Sequence, residues 1–417
     1  MIRFADSKYC FLLCAGLAVS AIASTAVAEE HFPQFKQSLG ERDRTVKVVC
    51  FGDSVTGIYY HTGGRRAYTK FVQLALEKTK PRATVQAINA GISGHTTRDA
   101  LARIETDVLA HKPDLVTVMF GLNDMTRVPL NEYRDNLTKI IEMCRAAGAE
   151  VLLCTPNSVY DTKSRPEAKL EKYVAAVHQV AQAQQVEVAD CYAAYQSLRS
   201  RDEFAWATLM SDEIHPNLDG HKLIAEEIVQ AILGRRILLK DIPVSTPPIP
   251  WTRGKLQKKQ PIHILAMPPF DAQIKVAIRR IYPNADIKVT TWETAGKSLS
   301  DIEEQAKTVR KMAPDLVVIA VPIETTSSSR EQYVRTYSWI LNYALSFGLR
   351  TWDVIAIDPA LASEPSSPEQ RTRARLVQQL IRAQDLPFVK RPADNSTPAG
   401  DVLKQWIAEQ LGKPNTR

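Results

Sequence analysis

Short apolar runs alternate with amphipathic stretches along most of the chain. In the first half, each apolar run is bounded by polar or turn-forming residues and is followed by a stretch with helical periodicity. The predicted strands are Val46–Phe51, Thr84–Asn89, Leu115–Phe120, Val151–Thr155 and Val186–Asp190. The predicted helices are Ala67–Thr79, Thr97–His111, Asn131–Ala147, Pro166–Gln184 and Gly220–Leu233. This alternation is typical of a parallel sheet that is covered by helices on both faces.

The same alternation resumes after residue 261. The strands predicted there are Ile262–Met267, Ile287–Thr291, Leu316–Val321 and Asp353–Asp358, and the helices are Ala272–Tyr282, Leu299–Met312, Arg330–Phe347, Glu369–Ala383 and Val402–Leu411. The tetrapeptide Pro-Asp-Leu-Val occurs at residues 113–116 and again at 314–317, each time between a charged helix and a strand. We interpret the second half as an internal repeat of the first. The alternative is that two unrelated parallel α/β units share this pattern.

The stretch between the two series is rich in proline and lysine. Residues 241–260 therefore predict a semi-stiff surface linker. Residues 29–45 are polar and predict a loose lead-in. We accordingly expect a first α/β domain at residues 46–240 and a second, similar α/β domain at residues 261–412.

The first 28 residues have the pattern of a cleaved secretory signal peptide. Arg3 and Lys8 make the start of this segment positive, and Phe11–Ala23 is apolar. Ala26-Val27-Ala28 places small residues where a signal peptidase cuts. An uncleaved membrane anchor would need about 20 apolar residues, which is more than this run provides. We expect export to the periplasm or the extracellular space, with no stable membrane span after cleavage.

The formal net charge of +7 over 417 residues is only mildly basic. No repeat of aromatic and basic residues accompanies it, so a nucleic-acid partner is not expected. The cysteines that follow the signal segment are Cys50, Cys144, Cys154 and Cys191. An even count permits disulfides in an exported protein. Two of them, Cys50 and Cys154, lie in strand-like apolar runs, which favours buried, unpaired thiols.

The first strand ends in Gly52-Asp53-Ser54. This is the pattern of a strand that delivers a serine hydroxyl to the rim of a sheet. Glycine, aspartate and serine are also ordinary turn residues, so the tripeptide alone indicates little. Its meaning depends on the residues at the ends of the other strands.

Further candidate residues lie in loops between the other predicted strands and helices. Gly91 and Gly94 form a turn after the second strand, where backbone N–H groups can point at an anion. Asn123, after the third strand, offers a side-chain donor at the same rim. Asp212 lies three residues before His215, just ahead of the last helix, and can orient the imidazole as a proton acceptor. Together these parts suit acyl transfer, which needs an activated hydroxyl, oxyanion donors and a proton shuttle.

In this order, residues 46–235 resemble the SGNH (GDSL-type) serine esterases. The resemblance implies a flavodoxin-like three-layer α/β/α sandwich and a reaction that needs no cofactor. The sequence contains no His-Glu-x-x-His or cysteine-pair spacing that would predict a metal site. It also implies hydrolysis of a carboxylic ester through an acyl-enzyme.

The same resemblance assigns a role to each matching residue. It implies Ser54 as the nucleophile, His215 as the general base and acid, and Asp212 as the carboxylate that orients the histidine. The backbone N–H groups of Ser54 and Gly94 and the side chain of Asn123 would form the oxyanion hole.

The matching positions of the second half lack these groups. Gly52-Asp53-Ser54 aligns with Met267-Pro268-Pro269, and Asn123 aligns with Glu324. The segment from Asp212 to Pro216 aligns with the segment from Asp394 to Pro398, which has no histidine. We therefore expect an SGNH-like second domain without hydrolytic chemistry.

Several nearby residues have structural interpretations. We expect Asp53 to cap its turn, Asn89 to brace the glycine loop, and His221 to lie on the surface of the last helix. His95 could line the pocket. The residues that come after Ser54 could form either one wall of the substrate cleft or a solvated loop: Tyr59, Tyr60, His61, Arg65 and Arg66.

The sequence as a whole predicts an exported serine esterase. Acetylated sugars or polysaccharides are the first substrate candidates, followed by short-chain lipid esters and thioesters. A carbohydrate-binding or scaffold protein without catalytic activity is the alternative, although such a protein would not need Asp212 and His215 together. The sequence leaves the oligomeric state open.

Overall fold

The computed structural model describes residues 31–41, 43–243, 248–346, 351–393 and 396–412. The predicted signal peptide, residues 1–28, lies outside the described residues. Phe32–Arg417 forms one compact unit that contains two separate parallel sheets. We call residues 32–243 the first half of the chain and residues 248–412 the second half.

The first sheet has five parallel strands in the order β2-β1-β3-β4-β5. Its strands are β1 (Thr45–Gly52), β2 (Thr84–Gly91), β3 (Leu115–Met119), β4 (Glu150–Cys154) and β5 (Glu187–Ala189). The central strand β1 pairs with β2 and β3, so that Val48 lies between Ala87 and Leu115. This order is that of the flavodoxin-like doubly wound sheet, in which ligands bind beyond the carboxyl ends of the strands.

Helices cover both faces of this sheet. The helices of the first half are α1 (Pro33–Gly40), α2 (Tyr68–Thr79), α3 (Thr97–Asp107), α4 (Asp124–Arg127), α5 (Leu130–Ala146), α6 (Glu167–Gln184), α7 (Cys191–Arg201), α8 (Glu203–Ala207) and α9 (Leu218–Leu233). In one layer α2 packs against α9, and in the other α5 packs against α3 and α6. The predicted α/β class with a three-layer arrangement is confirmed.

The second sheet repeats the topology of the first. Its five parallel strands, in the order β10-β9-β8-β6-β7, are β6 (Ile262–Ala266), β7 (Ile287–Thr291), β8 (Leu316–Ile319), β9 (Asp353–Ile357) and β10 (Phe388–Val389). Its helices are α10 (Pro250–Gln257), α11 (Phe270–Arg279), α12 (Leu299–Ala306), α13 (Val309–Met312), α14 (Arg330–Ala344), α15 (Pro359–Ala362), α16 (Pro368–Ala383) and α17 (Ala399–Leu411). The prediction of a second α/β parallel-sheet region is confirmed.

One aspartate fixes the strand register in each sheet. The Asp114 carboxylate accepts a hydrogen bond from the backbone N–H of Lys47 at 2.7 Å, and the Asp114 N–H donates to the Lys47 carbonyl at 2.9 Å. Asp315 makes the same two contacts with His263, at 2.8 Å and 2.7 Å. Because β1 and β6 therefore align from these positions, Ser54 corresponds to Phe270. The sequence alignment, which placed Ser54 opposite Pro269, is wrong by one residue.

Several short elements differ from the predictions. Helix α1 forms within the predicted lead-in and buries Phe35 and Leu39. Helix α10 forms within the predicted linker, starts at Pro250 and is held by the Thr252 N–H, which donates to the Asp353 carboxylate at 2.7 Å. Proline is favoured in the first turn of a helix, where its missing N–H has no intrahelical partner anyway. Tertiary contacts thus stabilise both helices.

All four cysteines of the described residues are buried and unpaired. This outcome is the predicted one. Burial raises the pKa of Cys50 to about 11 and that of Cys144 to about 12, so both remain protonated thiols. Of the helices that the structure describes, none has both the length and the apolar character needed to cross a membrane.

Candidate active site

Ser54 stands at the carboxyl end of the central strand β1, on a turn with little free space. A Cβ atom on Gly52 would lie 2.0 Å from Thr56 Oγ1 and 2.6 Å from the Met119 carbonyl, so only glycine fits there. The Asp53 carboxylate accepts from the Val55 N–H at 2.9 Å, which is the predicted turn cap. The turn lifts Ser54 out of the strand, where its side chain is 7% exposed.

Ser54, His215 and Asp212 lie in one hydrogen-bonded line. The Ser54 Oγ and His215 Nε2 atoms are 2.8 Å apart, and His215 Nδ1 and Asp212 Oδ2 are also 2.8 Å apart. In the tautomer that suits this line, Nδ1–H donates to the carboxylate and Nε2 accepts from the serine hydroxyl. Three residues predicted from two separate motifs thus come together at the rim of the first sheet.

The Asp212 carboxylate is held by its own turn. Its Oδ1 atom accepts from the backbone N–H groups of Ile214 at 2.9 Å and His215 at 2.7 Å. The Ser211 N–H donates to the His215 carbonyl at 2.9 Å and closes the turn. Burial alone would raise the pKa of Asp212, but the charge of His215 and these hydrogen bonds hold that pKa below its usual value. Asp212 is therefore an anion beside the imidazole.

The glycine turn after β2 lies against the serine turn. Gly94 has a φ of 78°, a left-handed conformation that suits glycine. A Cβ atom on Gly91 would lie 2.2 Å from the Gly57 nitrogen, so the two turns approach closely. Asn89 braces this contact as predicted, because its Oδ1 accepts from the Gly91 N–H at 3.0 Å and its Nδ2 donates to the Thr56 carbonyl at 2.6 Å.

The three expected oxyanion donors differ in whether they already donate to another group of the protein. Within the described residues, the N–H groups of Ser54 and Gly94 have no hydrogen-bond acceptor. The Asn123 amide donates instead to Asp53 Oδ2 at 3.3 Å and to the His95 carbonyl at 3.1 Å. Burial raises the pKa of Asp53 to about 6. Two donors are therefore open, whereas Asn123 is engaged by its neighbours.

Tyr60 and His61, two of the residues that could have formed a cleft wall or a solvated loop, pack against His215. The His61 ring stacks on the His215 ring with centroids 4.5 Å apart and an angle of 14° between the planes. Tyr60 meets His215 edge-on at 5.6 Å, and its hydroxyl lies 3.4 Å from Asp212 Oδ2 and 3.3 Å from His215 Nδ1. Burial raises the pKa of Tyr60, so it remains a neutral phenol.

The prediction that His221 lies on the surface is wrong. His221 is fully buried, and its ring stacks 5.7 Å from that of His61. Its Nδ1 accepts from the Tyr68 N–H at 3.2 Å. Burial lowers the pKa of His221 to about 3, so it is neutral. The helical spacing could have revealed this position, because His221 lies three residues after the buried Leu218.

Arg65 and Arg66, which could have formed a cleft wall, contact the second half of the chain instead. The Arg66 guanidinium pairs with the Asp385 carboxylate at 3.1 Å and 3.2 Å. Arg65 donates to the Gln384 carbonyl at 3.1 Å, and the Gln384 side chain donates to the His61 carbonyl at 2.7 Å. The segment after Ser54 therefore connects the candidate site to the second half.

The residues of this site fall within a stretch that matches a known family. Residues 50–223 match the GDSL-like Lipase/Acylhydrolase family. This is the family that the motifs of residues 46–235 resemble. The second sheet lies outside the matched residues.

Several proteins that are similar to the first half of the chain are esterases. An acetylxylan esterase of Geobacillus stearothermophilus is 28% identical over 208 residues, which are 45% of this chain and 93% of that esterase. An arylesterase of Vibrio mimicus is 25% identical over 198 residues, 45% of this chain and 88% of the arylesterase. Among solved structures, a lipase/acylhydrolase from Enterococcus faecalis is 29% identical, with a TM-score of 0.39, over 46% of this chain and 98% of its own. The predicted class of enzyme, a GDSL-type carboxylic ester hydrolase, is confirmed.

Proposed function

We propose that the chain is an exported serine esterase that removes acetyl groups from sugars or polysaccharides through an acyl-enzyme. The observation that supports this most is the geometry at His215, whose two ring nitrogens each lie 2.8 Å from a partner, Ser54 on one side and Asp212 on the other. A binding protein would have no use for a hydroxyl, an imidazole and a buried carboxylate in this line.

In the proposed reaction, the Ser54 hydroxyl attacks the ester carbonyl while His215 Nε2 takes its proton. Asp212 accepts from Nδ1–H and stabilises the imidazolium that forms. The tetrahedral intermediate then collapses as Nε2–H gives the proton to the leaving alcohol, which leaves acetyl-Ser54. Water attacks this ester with His215 again as the base, and acetate and free Ser54 are released.

The oxygen that becomes negative in both intermediates needs hydrogen-bond donors. The Ser54 and Gly94 N–H groups have no other acceptor among the described residues, so they can donate to it at no cost in existing bonds. Asn123 would join them by turning one amide hydrogen away from Asp53 or the His95 carbonyl. A carboxylate at Asp53 that becomes protonated more readily than usual would release that hydrogen more easily.

Two features favour a short acyl group on a sugar. The Ser54 side chain is nearly buried, which leaves little room for a long acyl chain at the nucleophile. The similarity to an acetylxylan esterase extends over 93% of that protein. The signal-like first segment would bring the enzyme to extracellular or periplasmic polysaccharides. Short-chain lipid esters and thioesters are the next candidates.

A serine-reactive fluorophosphonate probe tests the proposed chemistry. The wild-type protein should be labelled, and the Ser54→Ala variant should not. A folded wild-type protein that stays unlabelled would favour the alternative, a carbohydrate-binding module. Initial rates on acetylated xylo-oligosaccharides and on aryl esters of increasing acyl length then test the substrate, and rates that rise with acyl length would contradict the acetyl preference.

We also propose the division into a catalytic domain at residues 46–240, the connecting segment 241–260 and an SGNH-like domain at residues 261–412 that does not hydrolyse esters. The common strand order and the paired register contacts of Asp114 and Asp315 support two equivalent units. The position equivalent to Ser54 carries no hydroxyl in the second unit.

A further inference from the structure

The second half of the chain contacts the turn that carries Asp212 and His215. The Asn342 Nδ2 atom, on α14, donates to Ser211 Oγ at 2.9 Å, and both side chains are fully buried. Arg335, about two turns earlier on α14, forms an ion pair with Glu213. Both neighbours of Asp212 in the chain are therefore held by a helix of the second half.

A second connection runs through Tyr60. The guanidinium of Arg310, on α13, lies 4.4 Å from the centre of the Tyr60 ring. The hydroxyl of that ring is within 3.4 Å of the Asp212 carboxylate and 3.3 Å of His215 Nδ1. Arg310 thus supports a side chain that contacts both the orienting carboxylate and the imidazole.

Asn342 joins the two connections. Its side-chain oxygen accepts from Arg310 Nη2 at 2.8 Å, and its backbone carbonyl accepts from the same nitrogen at 2.7 Å. Its Nδ2 atom donates in the opposite direction, to Ser211. One buried amide therefore fixes the guanidinium over Tyr60 and the start of the Asp212 turn at the same time.

We infer that the second half of the chain is a positioning part of the active site, in which Arg310 and Asn342 act through Tyr60 and Ser211 on Asp212 and His215. This inference rests on the proposed function. It assigns a task to the half that lacks a serine nucleophile of its own: it holds the orienting carboxylate and the imidazole of the other half in line with Ser54.

The proposed reaction depends on the position of the His215 ring. The imidazole must accept a proton from Ser54 and later return it to the leaving group, so its ring has to stay within hydrogen-bond reach of both. A displacement of about 1 Å in such a group can cost about 10²-fold in rate. Tyr60 limits that displacement, because its ring contacts the edge of His215 and its hydroxyl donates to Asp212 Oδ2.

Other contacts between the halves serve as controls. The Arg330 guanidinium, also on α14, stacks 3.6 Å from the centre of the Phe204 ring. Phe204 lies on α8 and touches neither Ser54 nor His215 in any described contact. Arg330→Met therefore removes an arginine of the same interface without touching the path through Tyr60.

The test compares Arg310→Met, Tyr60→Phe and the double variant with Arg330→Met, each in the full-length protein. We expect Arg310→Met and Tyr60→Phe each to lower kcat about 10-fold with KM changed less than about 2-fold, as for a group that acts on the transition state. The double variant should lose little more than either single variant, because both changes interrupt the same path. Arg310→Lys should recover part of the loss, since it restores the cation over the ring. Arg330→Met should keep wild-type kcat.

The outcomes separate the two proposals. If Ser54→Ala still hydrolyses the substrate, the proposed function fails. If Ser54→Ala is inactive while Arg310→Met has the same kcat as Arg330→Met, the esterase proposal stands and the positioning role is overturned. Fully multiplied effects of Arg310→Met and Tyr60→Phe would also overturn it. Near- and far-UV circular dichroism of each variant excludes a loss of fold as the cause, and Asn342→Ser provides a second interruption of the path should Arg310→Met not fold.

Discussion

The two sheets have the same strand order and the same register contacts, but the residues beyond the carboxyl ends of their strands differ. Both have the same strand order, and in both an aspartate before the third strand fixes the register of the first. The glycine turn is also common to the two, since Gly94 and Gly296 have φ angles of 78° and 71°. In each case the next helix begins with a residue whose N–H donates to an aspartate three residues later, Asp99 or Asp301. Residues that form the fold recur in both halves.

Residues at the candidate site do not recur. Ser54 corresponds to Phe270, which is fully buried at the start of α11. Asn123 corresponds to Glu324, whose carboxylate accepts from Ser363 Oγ at 2.9 Å. A carboxylate there would repel an oxyanion. The comparison teaches that this fold is stable without the chemistry, so that function has to be argued from the rim of each sheet separately.

The largest difference in kcat is expected between substitutions in the two loops that precede the last helix of each sheet, α9 and α17. His215→Ala should lower kcat by about three orders of magnitude or more, as removal of a triad member does. Thr397→Ala, at the position aligned with His215, should leave kcat unchanged. Steady-state hydrolysis of an aryl acetate measures both, and a Thr397 variant as inactive as the His215 variant would break the comparison.

The next effect concerns the donor after the third strand. Asn123→Ala should lower kcat about 10²-fold, which is typical of the loss of one oxyanion donor. Glu324→Ala should have no effect on kcat. Single-turnover measurements of acylation report the difference. Equal rates for Asn123→Ala and the wild type would mean that the amide stays bonded to Asp53 and His95 throughout the reaction.

The shared register contacts should respond alike in the two halves. Asp114→Ala and Asp315→Ala each leave a backbone N–H of the neighbouring strand without its acceptor, so each should lower the free energy of unfolding by about 2 kcal/mol. Urea unfolding followed by circular dichroism measures the loss. Asp401→Ala, which removes a partly exposed ion pair with Lys404 in the first turn of α17, is the control and should cost less than about 1 kcal/mol. A loss confined to one half would contradict the equivalence of the two aspartates.

The smallest expected effect is the response to acid, and the two fully buried histidines that contribute to it, His61 and His221, lie in the first half. The pKa of buried His221 is lowered to about 3, whereas in the unfolded chain it titrates near its usual value of 6.5. The unfolded state therefore binds the extra proton as the pH falls below 6.5, and stability that is present at neutral pH is lost by about 1.4 kcal/mol per pH unit. Buried His61 acts in the same direction.

The variant His221→Asn isolates this effect, because an asparagine oxygen can still accept from the Tyr68 N–H. Between pH 7.5 and pH 5.5 the variant should lose about 1.4 kcal/mol less than the wild type does. Urea midpoints at the two pH values measure this difference. Parallel losses in the variant and the wild type would assign the acid response to other groups. The last helix of the second half, α17, contains no histidine and offers no such response.

Much of this molecule could be predicted from its pattern of apolar residues. The strands of both sheets follow from buried β-rich runs, and among the strands that the structure describes only the two-residue strand β10 (Phe388–Val389) was missed. Helix α7 was also missed, because it begins directly after β5 with Asp190 as its cap and no loop separates the two elements. Short elements such as α10 owe their stability to contacts with distant residues, which local periodicity does not record.

The residues of the candidate site also fall into those that local sequence predicts and those that depend on distant contacts. Ser54, Asp212 and His215 could be predicted because each sits in a short motif with its own local geometry. The contribution of Arg310 and Asn342 could not, because it arises where the two halves of the chain meet. His221 was predicted to lie on the surface, whereas its spacing of three residues from Leu218 places it on the buried face of α9.

The buried thiols of the first half have a practical consequence. Burial raises the pKa of Cys154 and Cys191 as well, so that none of the four cysteines of the described residues presents a thiolate to an oxidant or to an exchanging dithiol. Oxidants and reductants in the surroundings are therefore not expected to react with these four thiols while the protein is folded. Incubation of the folded protein with dithiothreitol or in air should therefore leave these four thiols in the same reduced state.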